Sequence, residues 1–169
     1  MLFILFGNFL SFVAMLFLFY AISRRDNKTL ILFQGVSHFF FALSGIIIKG
    51  YSGAVQDGIG CLRNILIVTE KNNIYTKVFL VSFAIIFGLI FNNRGWVGVL
   101  PVLGTFQYTL VSTIKHINNN KIQLSIIVNA ILMIVYSICI MNYVNIIANI
   151  MAILVSGYTI KRNKVKIKN

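Results

Sequence analysis

Residues 2–22 read LFILFGNFLSFVAMLFLFYAI. The run has 21 residues and no charge. An α-helix crosses the hydrocarbon core of a bilayer in about 20 residues, so this stretch is a candidate span. Its length also exceeds the apolar core of an ordinary cleavable leader, and no basic residue precedes it, so no leader is expected from the pattern.

The pattern repeats along the chain. Six more apolar segments follow, at 29–48, 52–69, 76–91, 95–115, 122–141 and 143–160. Short polar breaks separate them, and none of the breaks is long enough to hold a folded domain. The fourth segment is the shortest. Isolated strands would leave backbone groups unpaired in lipid. A β-barrel needs alternating polarity, and Phe39-Phe40-Phe41 and Ile46-Ile47-Ile48 do not alternate. The expected fold is an all-α membrane protein with seven transmembrane helices.

Composition agrees. Hydrophobic residues make up 59% of the 169 residues and charged residues 11%. Soluble domains average about 25% charged residues. The net charge of +12 would suggest nucleic acid on a soluble module. Here the cations sit in the breaks and the tail, where topology and anionic lipid explain them better. No nucleic-acid partner is expected.

With the N-terminus outside, the cytoplasmic breaks and tail hold Arg24, Arg25, Lys28, Lys71, Lys77, Lys115, Lys121, Lys161, Arg162, Lys164, Lys166 and Lys168. The outer breaks hold Lys49 and Arg94, and Arg63 lies within a segment. This asymmetry supports an outer N-terminus, a cytoplasmic C-terminus and an odd number of helices. The expected location is a membrane, with lipid as one partner.

A weak internal repeat relates the first three segments to the last three. An offset of 92 positions brings Ser37 onto Asn129, Tyr51 onto Tyr143, Asp57 onto Asn149 and Leu62 onto Leu154. Both halves then have one orientation, with an odd helix between them. The expected organisation is one membrane domain over 1–169. It divides into a three-helix bundle at 2–69, a linker helix at 76–91, a parallel three-helix bundle at 95–160 and a basic tail at 161–169.

Polar side chains inside spanning helices are costly and tend to face the bundle interior. Gln34 and His38 are four apart and share a face. His38 can bind a solute, carry a proton, or simply hydrogen-bond a neighbouring helix. Ser37 and Asn129 fall at similar depth. Asp57 and Arg63, six apart, point in different directions and are not a local ion pair. Arg63 can reach lipid phosphate or turn inward, and Asp57 is too short to reach far. Asn64, Gln107, Asn145, Asn149 and Asn8 are further candidates for the same space. Ala54, Gly58 and Cys61 give the third helix a face for close packing. Pro101, beside Gly104, is expected to kink the fifth helix, as a hinge or as a static bend.

Cys61 and Cys139 both fall in apolar runs with no partner at metal-ligand spacing. They read as buried small hydrophobes. No catalytic motif is present, and three acidic residues leave little for acid–base or metal chemistry. Neither an enzyme nor a cofactor is expected.

The stretches Ser37-His38-Phe39-Phe40-Phe41-Ala42-Leu43, Gly50-Tyr51-Ser52-Gly53-Ala54 and Leu62-Arg63-Asn64 resemble the YgjV-like family of bacterial inner-membrane proteins. The block Leu100-Pro101-Val102-Leu103-Gly104-Thr105 is similar to that family's second motif. The family carries no assigned activity, so the resemblance implies location and fold. Asp57 is outside its pattern. The three-plus-one-plus-three layout, with a proline in the fifth helix, also looks like SWEET, PQ-loop and PnuC-type transporters. Here the first helix has no proline, and Val102 follows Pro101.

The leading expectation is a transporter of a small polar or anionic solute. Its path would run near Ser37, His38 and Asn129, with Gln34, Asp57, Arg63, Asn64 and Asn149 as further candidates. The alternative is a membrane protein that binds or scaffolds a partner within the bilayer. A sealed interior would favour the scaffold, and a polar cavity bounded by both halves the transporter.

Overall fold

The computed structural model describes residues 1–23, 27–71, 73–113 and 119–168. Arg24, Arg25 and Lys115 of the charge pattern lie outside the described residues. Seven α-helices are present among them, and no strand. They are α1 (Leu2–Ser23), α2 (Asn27–Ile47), α3 (Tyr51–Val68), α4 (Ile74–Ile90), α5 (Leu100–Thr113), α6 (Asn119–Cys139) and α7 (Tyr143–Lys168). Three helices contain stretches long and apolar enough to cross a membrane: Leu2–Ala21, Asn120–Cys139 and Tyr143–Asn163. Ile31–Ile47, Ile74–Ile90 and Gly95–Val111 are shorter apolar stretches. Helix α3 is in neither group; it carries Gln56, Asp57, Arg63 and Asn64. Large apolar side chains cover the outside, including Phe3, Phe79 and Leu154. Only an apolar surrounding makes such a surface favourable.

Two boundaries differ from expectation. The fifth segment starts with a 3-10 turn, Gly95–Val99, and its α-helix begins at Leu100. Pro101 therefore stands in the first turn of α5, where its missing N–H costs little. It marks a junction and does not kink a continuous helix. Helix α7 runs on to Lys168 and takes in most of the basic tail.

Helices α2, α3 and α6 end alike. Lys49, Glu70 and Met141 have φ near +60°. The next N–H of each bonds back five residues: Gly50 to Gly45 O, Lys71 to Leu66 O and Asn142 to Ser137 O. This is the Schellman closure, which satisfies the last carbonyls of a helix. The first and third of these turns stand 92 residues apart, at the offset of the sequence repeat.

Packing follows chain order. Helices α1, α2 and α3 pack as one row and α5, α6 and α7 as another. Among the described residues the backbones of α1 and α3 do not come together, nor do those of α5 and α7. Each half is thus an open row rather than a closed three-helix bundle. The rows meet through α1 against α7 and α3 against α5, and α4 lies against α3 and α5.

The end bearing the α2–α3 and α6–α7 turns, here the turn end, is stitched shut by polar groups. Ser11 Oγ donates to Ser44 Oγ, which donates to Gly7 O (both 2.7 Å). Asn142 Nδ2 also donates to Ser44 Oγ, joining the two rows. Asn8 Nδ2 donates to Met141 O, and Asn8 Oδ1 caps the Val144 N–H at the start of α7. Arg94 donates to the carbonyls of Ile48 and Lys49 at the end of α2. A cation there also meets the negative end of the helix dipole. At the opposite, basic end stand Lys28, Lys71, Lys77, Lys121 and Lys161.

Candidate functional site

The inner face of α3 organises the site. Gly53, Asp57, Gly60 and Asn64 follow each other at spacings of four, three and four, which places them along one stripe of the helix. At the turn end the Gly53 N–H, one of the orphan donors of the first turn of α3, donates to the Tyr136 hydroxyl of α6 at 3.1 Å. A side chain at Gly53 would strike the Tyr136 ring. Tyr136 is 1% exposed. This contact closes the stripe at that end.

Two turns further in, the His38 ring lies over Gly60, where a Cβ would come within 3.0 Å of it. His38 Nδ1 meets Asp57 Oδ1 at 3.0 Å. One hydrogen joins the two atoms; with Asp57 as a carboxylate, which only accepts, it is carried by Nδ1. The two side chains are 33% and 18% exposed, so the pair is sheltered but reachable.

Beyond the pair, towards the basic end, a cavity of about 280 Å³ opens between α2, α3, α4 and α5. Gln34, Arg63 and Asn64 line it, together with Lys77, Thr105, Tyr108 and Thr109. The Arg63 guanidinium stands over the Tyr108 ring, 5.5 Å from its centroid, a cation–π distance. Lys77 comes from the first turn of α4, which Asn73 caps by accepting the Thr76 N–H. No acidic side chain lines the cavity. Among the described residues Arg63 has no carboxylate partner. Asn64 is 3% exposed, and its Nδ2 has no hydrogen-bond partner. A buried amide left so costs roughly 1–3 kcal/mol.

The candidates from the sequence therefore separate. Gln34, Arg63 and Asn64 come together at the cavity, and His38 with Asp57 lies next to it. Ser37 turns the other way and donates to Ala14 O of α1 at 2.8 Å. Asn129 packs on Gly104 in the α5–α6 interface. Ser37 turns to α1 and Asn129 to α5, so the two do not meet in one site. Asn149 donates to Asn145 on its own helix. Gln107 clasps Ser125 of α6, and Asn8 and Asn145 belong to the turn-end network.

Two packing expectations also change. Gly58 faces open space, and the close α2–α3 approach is made where Ala54 meets Gly45. Cys139 is exposed on the apolar outside, whereas Cys61 is partly buried. Sequence reasoning missed Lys77, Thr105, Tyr108, Thr109 and Tyr136 as site residues. Lys77 entered only as a topology charge. A threonine or tyrosine in an apolar helix gives no signal of which way it faces. Among the described residues no His, Cys, Asp or Glu cluster can hold a metal ion.

A second hollow, of about 260 Å³, lies between α2 and α3 and is apolar apart from Asn64.

A family model described as a bacterial inner membrane protein, Imp-YgjV, matches residues 5–166. The chain belongs to this family. No curated protein and no solved structure matches it.

Proposed function

We propose that this bacterial inner-membrane protein of the Imp-YgjV family is a multi-pass transporter of small anionic solutes, and not an enzyme. The carrying observation is the cavity bounded by both rows of helices, which holds Arg63 and Lys77, a buried unpartnered amide and no acid. An arginine near the bilayer centre costs about 2.5–3.5 kcal/mol on insertion scales. A bound anion offsets that cost, and the planar fork of Arg63 suits carboxylate, sulfate or phosphate.

In this reading all seven helices cross the membrane, with the N-terminus outside and the C-terminus in the cytoplasm. The chain is a three-plus-one-plus-three repeat with α4 as the linker, and the matching α2–α3 and α6–α7 turns support it. The cavity then opens towards the cytoplasm, while the Tyr136 contact and the serine–asparagine network close the outer end. Lipid surrounds the protein, and nucleic acid is no partner. The likeness to SWEET-type carriers drawn from the sequence is an analogy of fold alone and carries no weight in this reading.

The test is a thermal-shift screen of the purified protein with sulfate, phosphate and small carboxylates. Saturation at about 100 Kd stabilises a protein by about 2.7 kcal/mol. Stabilisation is expected in the wild type, reduced in Arg63→Lys and lost in Arg63→Gln with folding intact. Undiminished stabilisation in both variants would reduce Arg63 to a lipid anchor. Uptake of the stabilising anion into proteoliposomes then separates a transporter from a binder. Binding without uptake would favour the second reading, a scaffold, for which the apolar hollow between α2 and α3 offers a place to dock a partner within the bilayer.

A further inference from the structure

We infer that His38 and Asp57 form a proton-binding site on the wall of the solute path, and that the pair takes up a proton when an anion occupies the cavity. The inference rests on the anion cavity proposed above and adds a coupling ion to it.

The placement carries it. Asp57 and Asn64 are seven residues apart on the inner stripe of α3, two helical turns or about 10.5 Å. His38 stands one turn from Gln34, which lines the cavity. The pair thus sits between the Tyr136 closure and the cavity, next to the space an anion would fill. Gly60 lets the His38 ring lie flat against α3 and reach Asp57 from the neighbouring helix.

The proton chemistry follows from the hydrogen bond. Without the extra proton, Nδ1–H of a neutral imidazole donates to the Asp57 carboxylate, and the pair carries one negative charge. The proton then adds to Nε2. The product is an imidazolium still bonded to the carboxylate, with no net charge. No bond other than Nε2–H forms, and the proton comes from the bulk solution, where the buffer acid releases it and leaves its conjugate base.

The ionisable groups on the elements packed around the pair are of different kinds. Tyr136 comes from α6, Tyr108 from α5 and Lys77 from α4. Cys61 and Arg63 lie on α3 itself, Lys28 and Lys49 at the two ends of α2, and Arg94 in the α4–α5 junction. Helix α1 brings Tyr20 and the Met1 amino group. Phenol, thiol, lysine and arginine side chains ordinarily titrate above neutral pH, and the Met1 amino group stands at the turn end of α1, away from the cavity. That leaves the imidazole–carboxylate pair as the proton site beside the path.

Coupling is electrostatic. Unit charges about 10 Å apart at an effective dielectric of about 20 change each other's binding roughly tenfold. By linkage the anion tightens the proton as much as the proton tightens the anion.

The experiment uses the full-length protein in detergent and sulfate as the probe, since sulfate does not itself titrate near neutral pH. Calorimetric sulfate titrations in buffers of different ionisation enthalpy give the protons exchanged per anion bound. Wild type is expected to take up a fraction of one proton per sulfate. Both His38→Gln and Asp57→Asn keep a hydrogen bond between the two helices. His38→Gln should bind sulfate with uptake near zero. Asp57→Asn, which keeps the imidazole but loses the carboxylate that favours its charge, should shift the uptake to lower pH. Undiminished uptake in both variants overturns the proposal. So does sulfate binding by wild type with no proton exchange between about pH 5 and 8. If sulfate does not bind at all, the cavity reading fails separately, and pH-difference infrared spectra test the pair alone. An imidazole or carboxyl band lost in His38→Gln or Asp57→Asn supports the proton site. A spectrum unchanged by both substitutions overturns it.

Discussion

Among the described residues Tyr136 is the largest fully buried side chain, and its hydroxyl receives the Gly53 N–H from across the bundle. Removing that hydroxyl leaves a buried backbone donor unpaired. Tyr136→Phe is expected to lower stability by about 1 kcal/mol, in line with hydrogen bonds between membrane helices. Gly53→Ala would place a methyl 2.6 Å from the Tyr136 ring. Overpacking of that kind costs about 1–3 kcal/mol. Unfolding titrations in mixed micelles measure both losses. Because the cavity lies at the other end of the stripe, Tyr136→Phe should leave sulfate affinity unchanged. A drop in affinity equal to that of Arg63→Gln would show that the two ends are not separate. Arg63 itself was legible in the sequence, since a lone cation in an apolar run must be compensated. Lys77 was not, because a lysine near a helix end reads as a topology charge wherever it points.

At the scale of elements, the helix ends carry strain that the sequence does not announce. Lys49 and Met141 adopt the left-handed conformation with side chains other than glycine. That conformation costs such residues roughly 1–2 kcal/mol, against about 0.5–1 kcal/mol of extra chain entropy for glycine. Lys49→Gly and Met141→Gly should each raise stability by about 0.5–1 kcal/mol, read as a higher unfolding midpoint. Lower midpoints in both would show that these side chains stabilise their turns by contacts outweighing the strain. A sequence reader expects glycine at such a turn and finds it at Gly50, one residue late, and finds none at Met141. The fifth helix repeats the lesson. Pro101 in an apolar run reads as a kink, but the 3-10 turn before it makes it the start of α5.

For the whole molecule, the helices form two rows that meet at α1–α7 and α3–α5. The basic residues cluster at one end of them. Topology is therefore testable without a ligand. Alkaline phosphatase fused at the C-terminus should be inactive and a cytoplasmic reporter there active, with the opposite pattern at the N-terminus. An active cytoplasmic reporter at both ends would demand an even number of crossings and would undo the repeat. The same result would turn the cavity to the other side of the membrane or break the parallel relation of the rows.

The sequence by itself determined that the chain is helical, where most of the helices lie to within a few residues, and which breaks carry the cations. Those features follow from local physics. Lipid requires each backbone to satisfy its own hydrogen bonds, and apolar length is counted along the chain. Only the tertiary structure decided which polar side chains meet. Ser37 and His38 are neighbours in sequence but point about 100° apart on α2. One reaches α1 and the other Asp57 of α3. That choice depends on the rotation of each helix, set by close contacts such as Gly45 on Ala54 and His38 on Gly60. When nearly every face of a helix is apolar, periodicity does not mark the inward side, and packing between helices has to choose it.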